Sequence, residues 1–399
     1  MATVYLCIGT PKTGTTALQS FMRENEEQLQ KQGYCYPKLE LGLWSIFKNR
    51  NAHFLVQKST LEDEAEQERE EVELRNRGFA MLGELAKQYD NIILSDEVVW
   101  YRCNKRKDFW QDTLDNFKKI NCEVKVVVYL RRQDQVVQSL WNQLIKMEPR
   151  STKDFDRCIN GKYLKYFPLV YDKHLNKIAR YVPKENIIVR PYEKGQFEGE
   201  DHSIYTDFFK VLGVKLTDEF THEKVAANVG LVGNFIDIKR TLNGIPEYLE
   251  LDDFMCRPVL NASKCVAQNY GTIKETMFTS YEQQKEYLAR FEEGNAYVAR
   301  EFMGREDGVL FKEPIEELPA WQPHPETMQR DMLVYTAEMF CRQEKIIRDL
   351  QSETKRLREE LKKTQSIRSE MEQLREEVKA MHNSLIFRTY RKIRKVKKS

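Results

Sequence analysis

The sequence predicts an α/β fold in which a parallel β-sheet is flanked on both faces by helices and followed by a helical C-terminal extension. Along residues 2–311, short apolar runs rich in β-branched residues alternate with segments of helical periodicity, which is typical of a three-layer domain. Glycine or polar residues follow the apolar runs, at the sheet edge where α/β proteins bind ligands. A Pro-rich segment and a long charged helix without Gly or Pro predict the extension.

The first strand and the loop after it predict an anion-binding site. Residues 4–22 (VYLCIGTPKTGTTALQSFM) contain an apolar strand ending in Gly9, a loop through Gly14 and a helix that opens at Thr15. Backbone N–H groups and the positive end of a helix converge in such a loop, so a phosphate or sulfate is its natural guest. A Walker A loop has Lys directly before Ser or Thr, whereas here Thr15 holds that position and the basic residue is Lys12. The loop is therefore predicted to bind phosphate but not Mg·ATP, and a Gly/Thr turn without a ligand is the alternative.

A second phosphate-type element follows a later strand. The apolar run Val124–Leu130 predicts a strand buried on both faces, and it ends at Arg131 and Arg132. A helix comes next and carries Ser139, eight residues after Arg131. An arginine fork and a hydroxyl suit a phosphate monoester. The alternative is that both arginines cap a sheet edge and that Ser139 is incidental.

Three further strands complete the predicted sheet, at residues 33–37, 91–97 and 187–193. Residues 62–77 are rich in Glu and Arg, which indicates a solvated helix with i,i+4 charge pairs, and residues 78–89 continue as an amphipathic helix. Residues 206–311 are predicted to be helical with irregular connections. Strands that alternate with helices in this way favour a parallel sheet.

The loop and the Arg131–Ser139 element, in this order and separation, resemble the sulfotransferases that use 3′-phosphoadenosine-5′-phosphosulfate (PAPS). The similarity to the bacterial, carbohydrate-modifying members covers about residues 2–311. The resemblance implies a P-loop NTPase-like sulfotransferase fold, PAPS as co-substrate and no metal. It implies that Lys12 is the catalytic cation, that the 5′-phosphate is bound by Thr13, Gly14, Thr15 and Thr16, and that the 3′-phosphate is bound by Arg131 and Ser139. The family's Asn-x-Ser is Asn-Val-Gly at Asn228, so that residue is not assigned a role.

Three residues are candidates for the base that accepts the acceptor's proton. Glu97 lies at the polar end of the third strand, where carbohydrate-directed members of the family carry a catalytic Glu. His53 is the second candidate, because the small-molecule branch of the family uses His. Asp96 ranks third, since it is adjacent to Glu97 and points the other way if the strand geometry persists. The structural alternatives are a helix N-cap pair for the two acids and a core histidine for His53.

The resulting functional prediction is transfer of the sulfuryl group from PAPS to a hydroxyl of a carbohydrate or lipid-linked glycan. A P-loop kinase is the alternative, and Thr15 in place of the Walker lysine argues against it. A catalytically inactive scaffold is the second alternative, and intact Lys12, Arg131 and Ser139 argue against that.

Composition bears on three properties of the protein: nucleic-acid binding, metal binding and cellular location. The net charge of +2 over 399 residues gives no reason to expect a nucleic-acid partner. The eight cysteines show no C-x-x-C and no metal spacing with His, which predicts no metal site, and several of them, such as Cys7 in the first strand, are predicted to be small core residues. The absence of a signal peptide and of a long apolar run predicts a reducing, cytoplasmic location.

The C-terminal quarter predicts self-association and a membrane contact. The predicted domains are the sulfotransferase domain 1–312, a Pro-rich linker and helix start 313–342, a coiled coil 343–384 and a basic tail 385–399. Apolar residues of the coiled coil recur at spacings of three and four, with one break near Ile367, at Leu350, Leu357, Leu361, Met371, Leu374, Val378 and Met381. A single solvated helix is the alternative.

The tail is strongly basic. Residues 388–399 contain seven Lys or Arg and no acid, and Ile386, Tyr390 and Ile393 share one helical face. Such a segment suits the surface of an anionic membrane, which would place the protein at the inner membrane face. Binding to acidic polymers and simple disorder are the alternatives.

Overall fold

The sheet is parallel and has five strands, as the sequence predicts. The computed structural model describes residues 1–42, 49–147, 151–160, 167–221, 230–246 and 252–396. The strands are β1 (Ala2–Gly9), β2 (Tyr34–Cys35), β3 (Asn91–Ser95), β4 (Cys122–Leu130) and β5 (Ile187–Pro191). Their order is β2-β3-β1-β4-β5, and every neighbouring pair is parallel.

Helices connect and cover the strands. Up to β5, the described helices are α1 (Thr15–Glu24), α2 (Glu26–Lys31), α3 (Glu64–Leu85), α4 (Val98–Arg102), α5 (Phe109–Lys119), α6 (Gln133–Lys146), α7 (Phe155–Ile159) and α8 (Tyr171–Ile178). After β5 they are α9 (Ile204–Leu212), α10 (Asn234–Asn243), α11 (Asp252–Tyr270), α12 (Tyr281–Ala289), α13 (Glu292–Met303), α14 (Pro325–Asn383) and α15 (Leu385–Val396).

Both faces of the sheet are buried, because successive side chains of a strand point to opposite faces. Val4, Leu6 and Ile8 of β1 pack in the core on one face, with apolar residues of α3, α5 and α8. Tyr5 and Cys7 pack on the other face, with α1 and α9. Three layers result, helix on sheet on helix.

A separate helical core lies beside the sheet. It joins α6, α10, α11 and α12 to the first turns of α14, with Trp141, Phe235, Phe278 and Tyr335 among its buried residues. The Asn234 side chain ties the start of α14 to this core, because its amide donates to the His324 carbonyl and to Asp331, at 3.0 and 2.9 Å. The segment predicted as linker and helix start therefore divides at Pro325, and the helix that begins there packs on the globular part.

The residues predicted as two successive helices at 62–77 and 78–89 form one helix, α3. Asp63 caps it by accepting from the Glu66 N–H at 2.8 Å. Gly78 lies inside the helix because a β-carbon there would overlap the ring of Phe54. This close approach fixes the 3₁₀ turn His53–Leu55 against α3, next to the carboxyl edge of the sheet.

Beyond the globular part, α14 continues as one unbroken helix to Asn383, and all its residues from 347 onward are exposed. Ser384, with ψ 146, ends it, and α15 carries the basic tail to Val396. Nowhere in the described ranges is a helix both long and apolar enough to cross a bilayer.

Candidate functional site

The loop after β1 is anchored to the neighbouring strand β4. The backbone N–H and the hydroxyl of Thr10 both donate to the Tyr129 carbonyl, at 2.8 and 3.1 Å. The Thr13 hydroxyl donates to the Thr10 carbonyl at 2.5 Å and is buried. These bonds use the two threonine hydroxyls internally, so the loop can offer a ligand its backbone N–H groups and the Lys12 side chain.

Helix α1 begins directly after this loop. Gly14 is its N-cap residue with φ 73, and among the described residues no side chain caps the helix and no acid occupies its first turn. The first N–H groups of a helix have no acceptor within the helix, and the helix dipole places partial positive charge there. Thr15 and Thr16, the first helical residues, therefore face a position that favours an anion.

Lys12 occupies a strained backbone position. Its φ is 72, in the left-handed region that non-glycine residues rarely adopt. The Arg131 guanidinium donates to the Lys12 carbonyl at 3.1 Å and holds this conformation. Strain of this kind is found at functional sites. The backbone conformation alone would favour glycine, so the lysine is explained by its side chain.

Arg131 ties the second element to the first. Its Nε donates to the Gln135 side chain at 3.0 Å, its carbonyl accepts from the Tyr171 hydroxyl at 2.5 Å, and its guanidinium lies 5.7 Å from the Tyr192 ring centre. Burial lowers the pKa of Lys12, and the nearby Arg131 charge lowers it further. Burial likewise lowers the pKa of Arg131. Two cations held in a partly buried volume disfavour each other, so an anion between them would stabilise both.

Ser139 lies on the same side of α6 as the Arg131 contact. Gln135 is one turn after Arg131 and Ser139 one turn further, and residues four apart share a helix face. Ser139 is half-buried. Lys146 ends the helix, and its pKa is lowered by burial and then by the charge of Lys12, so its cation also lies near the loop.

Arg132 has a different task from its neighbour. It forms a bidentate ion pair with Asp134, with N···O distances of 2.9 and 3.1 Å. It also donates to the carbonyls of Glu313 and Pro314, at 2.6 and 3.3 Å. Arg132 therefore fixes the chain that leads to α14, whereas Arg131 faces the loop.

The three candidate bases form one acidic cluster at the end of β3. The buried His53 pairs through Nδ1 with Asp96 at 2.5 Å, and Asp96 also accepts from the Val98 N–H at 2.8 Å. Glu97 accepts from Arg50 at 2.8 Å and from Gln19 at 3.4 Å. The Asp96 side chain is fully buried while that of Glu97 is 12% exposed, so Glu97 is the acid that a substrate can reach.

Burial raises the pKa of Glu97, the ion pair with Arg50 opposes the shift, and the neighbouring Asp96 adds to it. The negative charge of Glu97 in turn opposes the lowering of the Lys12 pKa, so the two charges interact. Gly9 allows the end of β1 to lie against Glu97. A β-carbon at position 9 would be 3.1 Å from the Glu97 β-carbon, and the φ of 107 also favours glycine. A raised pKa suits a carboxylate that exchanges a proton with a substrate.

Four site residues are not among those the sequence predicts: Gln19, Arg50, Tyr192 and Lys146. No sequence pattern around Arg50 indicates a role in the site. Arg50 reaches the site because the neighbouring Asn51 side chain donates to the Ile93 carbonyl at 2.9 Å and accepts from the Ser95 N–H at 2.7 Å. Tyr192 follows β5, and strand-end position is the signal that could have found it. Asn228 lies outside the described residues.

Replacing Gly14 with alanine should lower stability by about 1 kcal/mol, because φ is 73 and the new β-carbon would meet the Tyr192 hydroxyl at 3.4 Å. Calorimetry should show a melting temperature lower by roughly 2–4 °C. Gly195→Ala is the control, since no atom lies within 4 Å of a β-carbon there. Equal melting temperatures for the two variants would show that the Gly14 conformation is not required.

The comparisons with known proteins give two similarities. Residues 336–380 match a family model described as the IPGAL2 N-terminal domain, and this match lies within α14. An uncharacterized protein of Archaeoglobus fulgidus is 31% identical over 201 residues, which cover 50% of this chain and 52% of that protein. The chain thus spans about half the length of this relative. No solved structure matches.

Proposed function

We propose that the protein is a PAPS-dependent sulfotransferase that acts on a hydroxyl of a carbohydrate. The observation that carries the proposal is the bond from Arg131 to the Lys12 carbonyl, which joins two phosphate-type elements 119 residues apart into one cationic site. A nucleotide with phosphate groups at both its 5′ and 3′ positions requires two such elements side by side. An NTP-binding loop requires only the first.

In this proposal each residue has one task. The N–H groups of Thr13, Gly14, Thr15 and Thr16 bind the 5′-phosphate, and Arg131 and Ser139 bind the 3′-phosphate. Lys12 stabilises the charge that develops on the oxygen between phosphate and sulfate when its bond to sulfur breaks. The acceptor oxygen forms the new bond to sulfur, and Glu97 takes its proton.

The proposed acceptor is a carbohydrate or a lipid-linked glycan. Glu97, the accessible acid of the cluster, supports a sugar hydroxyl rather than a substrate activated by histidine, because His53 is buried against Asp96. The basic helix α15 supports a location at an anionic membrane surface on the cytoplasmic side, where its exposed Ile386, Tyr390 and Ile393 would enter the interface.

Adenosine 3′,5′-bisphosphate is expected to stabilise the protein more than ATP with Mg²⁺. A ligand at about 100 times its Kd stabilises the native state by about 2.7 kcal/mol, which here corresponds to a rise in melting temperature of roughly 5–11 °C. Scanning calorimetry with each nucleotide measures the difference. A larger rise with ATP and Mg²⁺ would favour a kinase, and no rise with either would favour a non-catalytic scaffold.

The same measurement with adenosine 5′-monophosphate provides the control for the 3′-phosphate. Wild type should prefer the bisphosphate, and Arg131→Ala should lose that preference, by about 10- to 100-fold in Kd, because a charge-assisted bond to phosphate is removed. If Arg131→Ala weakened both nucleotides equally, Arg131 would act on the loop and not on the 3′-phosphate.

A further inference from the structure

The exposed part of α14 carries an apolar stripe that nothing in the single chain covers among the described residues. Eight of its apolar side chains are 52–62% exposed: Leu350, Leu357, Leu361, Ile367, Met371, Leu374, Val378 and Met381. They recur along a helix that has no kink-forming Pro or Gly between residues 343 and 383. A stripe of this kind is typical of a coiled-coil seam, and its heptad positions can be assigned.

One uninterrupted heptad register fits the helix. Leu350, Leu357, Thr364, Met371 and Val378 are spaced by seven and occupy position a. Position d holds Ile346, Glu353, Glu360, Ile367, Leu374 and Met381. Leu361 then lies at position e, beside the seam. A break in the heptad pattern near Ile367 is expected only if Leu361 is counted as a seam residue. With Leu361 at position e the pattern needs no break, and the helix itself is unbroken.

A parallel pair of these helices would place like charges together. In a parallel coiled coil each d residue faces its own copy, so Glu353 would face Glu353 and Glu360 would face Glu360 within the seam. Lys363 at position g would face Arg368 at position e of the second copy. Carboxylates opposed in a partly buried seam destabilise it.

An antiparallel pair separates these like charges, and Glu353 and Glu360 then face Val378 and Met371 of the second copy. With the two-fold axis between Thr364 and Ile367, position a of one helix faces position d of the other. Leu357 then faces Leu374 of the second copy, and Leu350 faces Met381 of the second copy. The paired seam runs from residue 350 to residue 381 of each helix and is about 48 Å long at 1.5 Å per residue.

Two pairs of charges that flank this seam at position g are complementary. Position g faces position g in an antiparallel pair, so Arg356 faces Glu377 of the second copy and Lys363 faces Glu370 of the second copy. Each pairing occurs twice because the dimer is symmetric. Within one chain Arg356 also lies between the two seam acids, 2.8 Å from Glu353 and 3.7 Å from Glu360, and so balances their charge.

We infer that α14 forms an antiparallel two-stranded coiled coil with a second copy of this chain. The seam pairing and the flanking charges point to the same occupant and the same direction. The inference is independent of the reaction proposed above, since it rests on residues outside the β-sheet domain.

A charge reversal at one g position distinguishes the two directions. Lys363→Glu should weaken an antiparallel dimer about tenfold in its dissociation constant, because both Lys–Glu pairs become Glu–Glu pairs. The same change should strengthen a parallel dimer, because it replaces the Lys363–Arg368 repulsion with attraction. Sedimentation equilibrium of the full chain at low ionic strength measures both.

Rescue and a matched control complete the experiment. Adding Glu370→Lys to Lys363→Glu should restore the wild-type constant, since the pair is reformed with its charges exchanged. Lys362→Glu makes the same change of charge at position f, on the outer face, and should leave the constant unchanged. A monomer at all concentrations, or a tighter dimer for Lys363→Glu, would overturn the inference.

Discussion

Lys12→Ala should reduce sulfuryl transfer by at least about 10²- to 10³-fold in kcat, the loss expected when a group that stabilises developing charge is removed. Stability at neutral pH should be unchanged or slightly higher. Burial and Arg131 lower the pKa of Lys12 in the folded protein, which means that the charged form is disfavoured on folding. Steady-state kinetics with PAPS and calorimetry on the same samples measure the two effects.

Lys118→Ala is the matched control, because it removes an exposed cation at the end of α5, next to the amino end of β4 and away from the loop. Its turnover should equal that of wild type. Lys12→Arg keeps the charge but changes its shape, and partial activity there would show that position matters as well as charge. Full turnover in Lys12→Ala would show that another cation stabilises the developing charge, and Arg131 would be the first candidate.

Glu97→Gln should lower kcat by about 10²- to 10⁴-fold while leaving nucleotide affinity unchanged. The carboxylate accepts a proton in the proposed reaction, whereas the loop and Arg131 bind the nucleotide. Because burial raises the pKa of Glu97, the acid limb of the pH–kcat profile should lie above the ordinary value of 4.5. Rapid-mixing kinetics over pH 4–8 and equilibrium binding of adenosine 3′,5′-bisphosphate separate the two properties.

The same shift predicts a stability difference between wild type and Glu97→Gln. The folded pKa exceeds the unfolded one, so wild type gains stability from this group at low pH and loses it as pH rises through the folded pKa. The glutamine variant should therefore be the more stable at neutral pH, and the gap should close in acid. Turnover retained in Glu97→Gln but lost in His53→Gln would move the base to His53.

The sequence predicts the parts of the site that follow strands and misses those brought in from elsewhere. Lys12 and Arg131 are predictable because each comes directly after a buried apolar run, and parallel strands end at one edge. Arg50 is not predictable, because its place depends on Asn51 bonding to the edge of β3. The different contacts of Arg131 and Arg132 are also not predictable from the sequence. The two residues are identical and adjacent, and only the folded chain determines which groups lie beside each of them.

The base illustrates the same limit. Glu97, Asp96 and His53 are all suggested by residue type, but their ranking depends on which of them solvent reaches. In the structure His53 and Asp96 bury each other, and Glu97 remains at the rim with Arg50. Burial of this kind arises from packing between residues 49–56 and β3, which no spacing within either segment reveals.

The central position of β1 in the sheet has a consequence for the order in which the protein can fold during its synthesis. Residues 2–16 leave the ribosome before the parts that hold them, since Tyr129 and Arg131 lie 119 residues later and bond to Thr10 and Lys12. The loop after β1 therefore cannot take its final form until β4 and Arg131 have been synthesised. Contacts this distant in sequence slow folding, and they leave an apolar strand, VYLCI, exposed during synthesis. Chaperone dependence should accordingly be concentrated in the interval between the synthesis of residues 2–16 and that of residues 129–131.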